Sequence, residues 1–123
     1  MIVTLSKRFG FEAAHFLPNV PDGHRCRRMH GHSFRFEVAL RGPIDPDRGW
    51  FLDYGDLGRL VRPLVDQLDH NLLNAVPGLE NPTAENLSRW LWERLAPVLP
   101  GLCRVSVFET CVTRCDYEGP EPA

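Results

Sequence analysis

The chain has 123 residues, 43% of them hydrophobic and 24% charged, and its 14 Lys plus Arg against 16 Asp plus Glu leave a net charge of −2. That length suits one ordinary domain burying roughly two-thirds of the surface its unfolded chain would expose, and the composition excludes global disorder. The slight acidic excess argues against a nucleic-acid partner, no apolar run approaches the roughly 18 residues that span a bilayer, and the short apolar start runs at once into Lys7 and Arg8, unlike a secretory leader. A cytoplasmic protein is the expectation.

The first 17 residues are rich in strand formers (Ile2, Val3, Phe9, Phe11) and predict an extended strand, bulged near Gly10. Residues 32–41 alternate, with Phe34, Phe36, Val38 and Leu40 on one face and Ser33, Arg35, Glu37 and Arg41 on the other. A turn rich in Pro, Asp and Gly follows from Gly42 to Gly49. Asp53, with Asp56 three residues on, marks a helix start, and Leu57, Leu60, Val61, Leu64, Val65 and Leu68 keep helical spacing. Pro63 predicts either a kink in that helix or a later beginning. Thr83 caps a second helix, with Leu87, Trp90, Leu91 and Leu95 on its apolar side and Pro97 and Pro100 to stop it. Arg104 to Thr110 alternates again, Val105, Val107 and Glu109 sharing a face, and a last strand is expected near Val112 to Tyr117. The order predicts an α+β fold: a four-stranded antiparallel sheet with two helices on one face and open edges. One domain is expected over residues 1–118, with 119–123 a flexible tail.

His30-Gly31-His32 opens the alternating strand, so both imidazoles project from one side of it. His15 ends the first strand, and hairpin-like pairing would bring it alongside. Three neutral imidazoles on strands suit Zn²⁺ and leave one tetrahedral position open, although each histidine taken singly reads better as an ordinary polar residue at a strand end. The four cysteines (Cys26, Cys103, Cys111, Cys115) read as reduced thiols or metal ligands rather than as a disulfide framework. Cys26, four residues before His30, is either a fourth ligand of a closed site or a thiol beside an open one. Arg25, Arg27 and Arg28 flank it, surroundings that favour a reactive thiolate and that would attract an anion such as phosphate. Asp69-His70 at the helix end is a candidate proton-transfer pair. Glu109, a carboxylate on a half-buried face, needs either an internal Arg or a ligand with paired N–H donors.

Together, Phe11-Glu-Ala-Ala-His15, Cys26-x3-His30-Gly-His32-Ser-Phe34, Leu68-Asp-His70, Glu80-Asn-Pro-Thr-x-Glu-Asn86 and Phe108-Glu-Thr110 resemble the 6-pyruvoyl-tetrahydropterin synthase family. The three residues between Cys26 and His30 resemble its bacterial 6-carboxytetrahydropterin synthase branch, of queuosine biosynthesis; the animal pyruvoyl synthases have five. The resemblance implies a tunnelling fold in which subunits join sheet edges into a barrel, as a homo-oligomer that is usually a hexamer of two trimers with active sites between subunits. It implies His15, His30 and His32 as zinc ligands, Cys26 as the catalytic thiol, Asp69 and His70 as a proton-shuttling dyad, and Glu109 as the anchor of the pterin ring. The implied substrate is 7,8-dihydroneopterin triphosphate, converted to 6-carboxy-5,6,7,8-tetrahydropterin, acetaldehyde and triphosphate, with Arg27 and Arg28 nearest to hand for the phosphates. The alternatives are another pterin side-chain lyase, such as a pyruvoyl synthase, or a non-catalytic zinc-stabilised module in which Cys26 completes the shell.

Overall fold

The computed structural model describes residues 1–122. Strands β1 (Ile2–His15) and β2 (His30–Pro43) pair antiparallel along their whole length, from Ile2 opposite Pro43 to His15 opposite His30. Residues directly opposite one another share a face of the sheet. The register therefore sets Phe9, Phe11, Ala13 and His15 beside Phe36, Phe34, His32 and His30 on one side. Phe9 stacks on Phe36 and Phe11 on Phe34, with ring centroids 5.3 and 5.1 Å apart. The bulge expected near Gly10 is absent, since pairing runs unbroken through Gly10 opposite Arg35. Gly10 meets a different need: a Cβ there would lie 2.9 Å from the Arg35 guanidinium that crosses it. The irregularities fall instead between Ala39 and Leu40 and between Val107 and Thr110.

Helix α1 (Tyr54–Leu68) starts where Asp53 Oδ1 accepts the Gly55 N–H at 2.7 Å. Pro63 does not delay that start. It sits on the exposed side, where water can serve the Arg59 carbonyl that proline cannot bond. Leu57, Val61, Leu64 and Leu68 are buried on the other side. After α1, His70 takes a left-handed φ of 58° and turns the chain into β3 (Asn71–Leu72), which lies parallel to Ala13 and Ala14. This short strand corrects the four-stranded expectation to five; two residues carry no alternation to read. Helix α2 (Ala84–Leu95) is capped by Thr83 Oγ1, which accepts the Asn86 N–H at 3.1 Å, and buries Leu87, Trp90, Leu91 and Leu95. Strands β4 (Leu102–Thr110) and β5 (Thr113–Tyr117) complete a sheet ordered β3-β1-β2-β4-β5.

α1 packs on β1, and α2 on β4 and β5, so both helices cover the face carrying Phe34, Phe36, Val105 and Val107. On the opposite face Glu37 is 9% exposed and accepts hydrogen bonds from Arg8 Nε at 2.9 Å and Arg104 Nη2 at 2.7 Å. The sheet is open: β1 meets β3 only at Ala13 and Ala14, and β5 has no outer partner among the described residues. Among those residues no helix is long and apolar enough to cross a membrane.

Candidate metal centre and active site

The C-terminal end of β1 and the start of β2 bring His15, His30 and His32 together, the set that strand periodicity and pairing anticipate. Their ring centroids lie 4.6–5.1 Å apart, and one ligand atom from each falls within 4.8 Å of the others. Phe34 forms the floor, its ring meeting those of His15 and His32 edge-on at 5.2 and 5.4 Å.

The tautomers follow from the backbone. His15 Nδ1 lies 3.0 Å from the Pro82 carbonyl, and His30 Nδ1 2.7 Å from the Arg28 carbonyl. A carbonyl only accepts, so each Nδ1 carries the proton and each Nε2 presents a lone pair. Burial pushes the His15 pKa below its ordinary 6.5, which keeps the ring neutral. His15 is 1% exposed and its Nε2 has no hydrogen-bond partner, although Glu109 Oε1 stands 3.5 Å away. A buried lone pair with a carboxylate oxygen beside it is a surrounding that suits a cation. Three imidazole donors converging on that point suit a borderline metal such as Zn²⁺, with the outer nitrogens oriented by backbone carbonyls as metal-bound histidines usually are. The residues present fit the metal.

A cavity of about 440 Å³ opens beside the triad, lined by the three histidines, Glu109, Cys26, Arg25 and Arg28 among others. Cys26 sits in a 3₁₀ turn (Arg25–Arg27) and does not join the cluster of convergent ligand atoms. Arg27, by contrast, is turned away. Its Nη1 donates to the Pro18 and Val20 carbonyls at 3.2 and 3.0 Å and pins the loop that precedes the turn.

Asp69 and His70 lie elsewhere. Asp69 Oδ2 is 2.9 Å from His70 Nδ1, and Asp69 Oδ1 accepts the Glu12 N–H at 2.9 Å. That backbone hydrogen bond first, and the bond to His70 second, hold the Asp69 carboxyl below the usual carboxylate range. The His70 side chain is 79% exposed and borders a separate open pocket of about 560 Å³, shared with Glu12, Ser33 and His32. Within one chain the dyad and Cys26 therefore face different cavities, with His32 common to both.

Sequence reasoning missed the Pro82 and Arg28 carbonyls that orient the imidazoles. It also missed Asn74, which accepts the Phe16 N–H at 3.0 Å, donates to the Phe16 carbonyl at 2.8 Å and so clamps the chain just beyond His15. Backbone carbonyls have no residue-type signal. Pro82 alone was within reach, lying inside the Glu80–Asn86 motif.

A model of the 6-pyruvoyl tetrahydropterin synthase family matches residues 4–120. The chain is 41% identical over 120 residues to the 6-carboxy-5,6,7,8-tetrahydropterin synthase of Synechocystis, covering 93% of this chain and 92% of that one. It is 36% identical to the dihydroneopterin monophosphate aldolase of Pyrococcus furiosus, over 83% of this chain and 85% of the relative. The structure of Caenorhabditis elegans 6-pyruvoyl tetrahydropterin synthase superposes with a TM-score of 0.89 at 29% identity, covering 98% of this chain and 97% of the other. Fold, histidine cluster and relatives define an enzyme of the lyase class on the tunnelling fold. The chain belongs to the 6-pyruvoyl tetrahydropterin synthase family.

Proposed function

We propose that the protein converts 7,8-dihydroneopterin triphosphate and one water to 6-carboxy-5,6,7,8-tetrahydropterin, acetaldehyde and triphosphate, the pterin step of queuosine biosynthesis. The observation that carries this reading is the unpartnered His15 Nε2, buried at the wall of a cavity that also holds Cys26 and Glu109. His15, His30 and His32 hold zinc; when bound, it supplies Lewis-acid polarisation of a side-chain oxygen of the substrate. Glu109 binds the amino-pyrimidine edge of the pterin, accepting two N–H bonds and fixing the ring's orientation. Cys26, as thiolate, removes a proton from the substrate side chain. His70, oriented by Asp69, returns a proton at another atom, so that hydrogen moves within the substrate before triphosphate leaves and the side chain breaks.

Because His70 borders a different cavity from Cys26 within one chain, the Asp69–His70 dyad serves the cavity of a neighbouring copy. The open sheet edges support this reading, since edge pairing is how copies of a tunnelling fold meet. The identity to the Synechocystis relative favours the carboxy branch, and the Pyrococcus relative supplies the rival outcome. The test is to incubate zinc-loaded protein with dihydroneopterin triphosphate and identify the products by mass. Carboxytetrahydropterin with acetaldehyde is expected; pyruvoyl-tetrahydropterin, or an aldehyde released with its phosphate intact, would replace the proposal with another side-chain chemistry.

A further inference from the structure

The catalytic cavity has one cationic wall, and its origin is the short turn around Cys26. In this turn the Arg28 N–H donates to the Arg25 carbonyl at 3.1 Å and the Arg27 N–H to the His24 carbonyl at 3.0 Å. A 3₁₀ turn repeats every three residues, so side chains at i and i+3 line up on the same side. Arg25 and Arg28 are such a pair, and both line the cavity with Cys26. Arg27 falls on a different side and is spent on the Pro18 and Val20 carbonyls, with Asp22 at 3.5 Å. Among the described residues neither Arg25 nor Arg28 has a carboxylate partner, whereas Arg8, Arg48, Arg59, Arg104 and Arg114 all do. Two guanidinium groups without a carboxylate partner, on one side of a turn, thus line a cavity that also holds the Glu109 carboxylate, so the cavity carries both signs of charge.

We infer that Arg25 and Arg28 form the subsite for the phosphate chain of the substrate, and that they set the preference for a polyphosphorylated over a phosphate-free pterin. The inference rests on the reading of this cavity as a pterin site. Guanidinium groups match phosphate bidentately and stay charged at every physiological pH, so two of them three residues apart can grip successive phosphates of one chain. The layout places the uncharged ring toward Glu109 and the polyanion toward the turn, with the side chain that reacts between them, next to Cys26 and the histidines. The Arg28 carbonyl also holds His30 Nδ1, so an anion gripped by Arg28 sits in fixed relation to the metal ligands.

The test uses the zinc-loaded full chain and the variants Arg25→Gln, Arg28→Gln, the double variant, Arg28→Lys and the distant control Arg59→Gln, with zinc content and melting temperature measured on each. Each single change is expected to raise KM for dihydroneopterin triphosphate about tenfold and the double change about a hundredfold, the usual weight of one and two charge-assisted bonds, with kcat changed less than about threefold. Affinity for phosphate-free 7,8-dihydroneopterin should stay as in the parent, Arg28→Lys should recover part of the loss, and Arg59→Gln should change nothing. A direct binding arm needs no turnover: calorimetric titration with inorganic tripolyphosphate at fixed ionic strength should show binding that the double variant loses. If tripolyphosphate binds through the two arginines but the pterin triphosphate is not converted, the subsite stands and the proposed reaction falls. If conversion proceeds and the double variant keeps its KM, or loses phosphate-free pterin equally, the subsite is overturned.

Discussion

At His15 the two ring nitrogens meet opposite surroundings, one tied to the Pro82 carbonyl and one left bare in a buried wall. Cys26 borders the same space without joining the ligand atoms, and this separates its two possible roles. As a fourth ligand it would contribute to metal affinity and folding. As a base it contributes to the chemical step alone, where one group is worth about 10²–10⁴-fold. Cys26→Ala is expected to keep one zinc per chain by metal analysis while turnover drops at least about a hundredfold; zinc lost in step with activity would make Cys26 a ligand. His70 offers a second residue-scale experiment. Its φ of 58° is a conformation that glycine adopts freely and side-chain residues rarely do. His70→Ala and His70→Gly both remove the imidazole and differ in the backbone. The glycine variant should be the more stable by about 1 kcal/mol in chemical denaturation, with both inactive. Equal stability would mean the turn imposes no strain.

On the helix-free face of the sheet, strands β1, β2 and β4 meet at Glu37. Burial by itself raises that carboxyl's pKa, but the hydrogen bonds from Arg8 and Arg104, with their charges, outweigh it and hold it below its ordinary 4.5. A carboxylate with a depressed folded value stabilises the native state at every pH above its unfolded value. The contribution is lost as pH falls through the folded value. The acid limb of stability should therefore decline below about pH 4.5. Glu37→Gln should flatten that limb while lowering stability at neutral pH, because Arg8 and Arg104 then lose their shared acceptor. An unchanged pH profile in denaturant titrations would mean the group carries no linkage. Ser106 and Asp116 extend this polar layer, with Ser106 Oγ 2.5 Å from Asp116 Oδ1. The layer shows why β2 is buried on both faces at Glu37 and Ala39, where alternation alone anticipates one wet side.

As a whole molecule the subunit is unfinished at two places. Among the described residues the outer edge of β1 has no strand partner from Ile2 to Phe11, and β5 has no outer neighbour. Unpaired edges of this kind recruit strands. On the proposed mechanism the Asp69–His70 dyad and Cys26 act in one reaction, and because His70 and Cys26 border different cavities, a second copy is needed to bring them together. Sedimentation at micromolar concentration is expected to find a multiple of three chains, the assembly that the resemblance in sequence implies. A stable monomer with full activity would require the dyad to be dispensable.

Much of this molecule was determined by sequence alone, because the relevant physics is local. Alternation in Phe34, Phe36, Val38 and Leu40 decides which way β2 faces, and His30 and His32, two residues apart, must then share that side. Asp53 and Thr83 cap helices with their own side-chain oxygens, so both helix starts were legible. Tertiary structure alone decided what depends on register and on chain reversal. Fourteen-residue pairing sets His15 opposite His30, a left-handed His70 turns two residues into β3, and Pro63 is tolerated because its side of α1 faces water. The same holds for the arginines around Cys26. Equal in the sequence, they are sorted by a single 3₁₀ turn into two that face the cavity and one that braces the loop, because a threefold repeat cannot point three neighbours the same way.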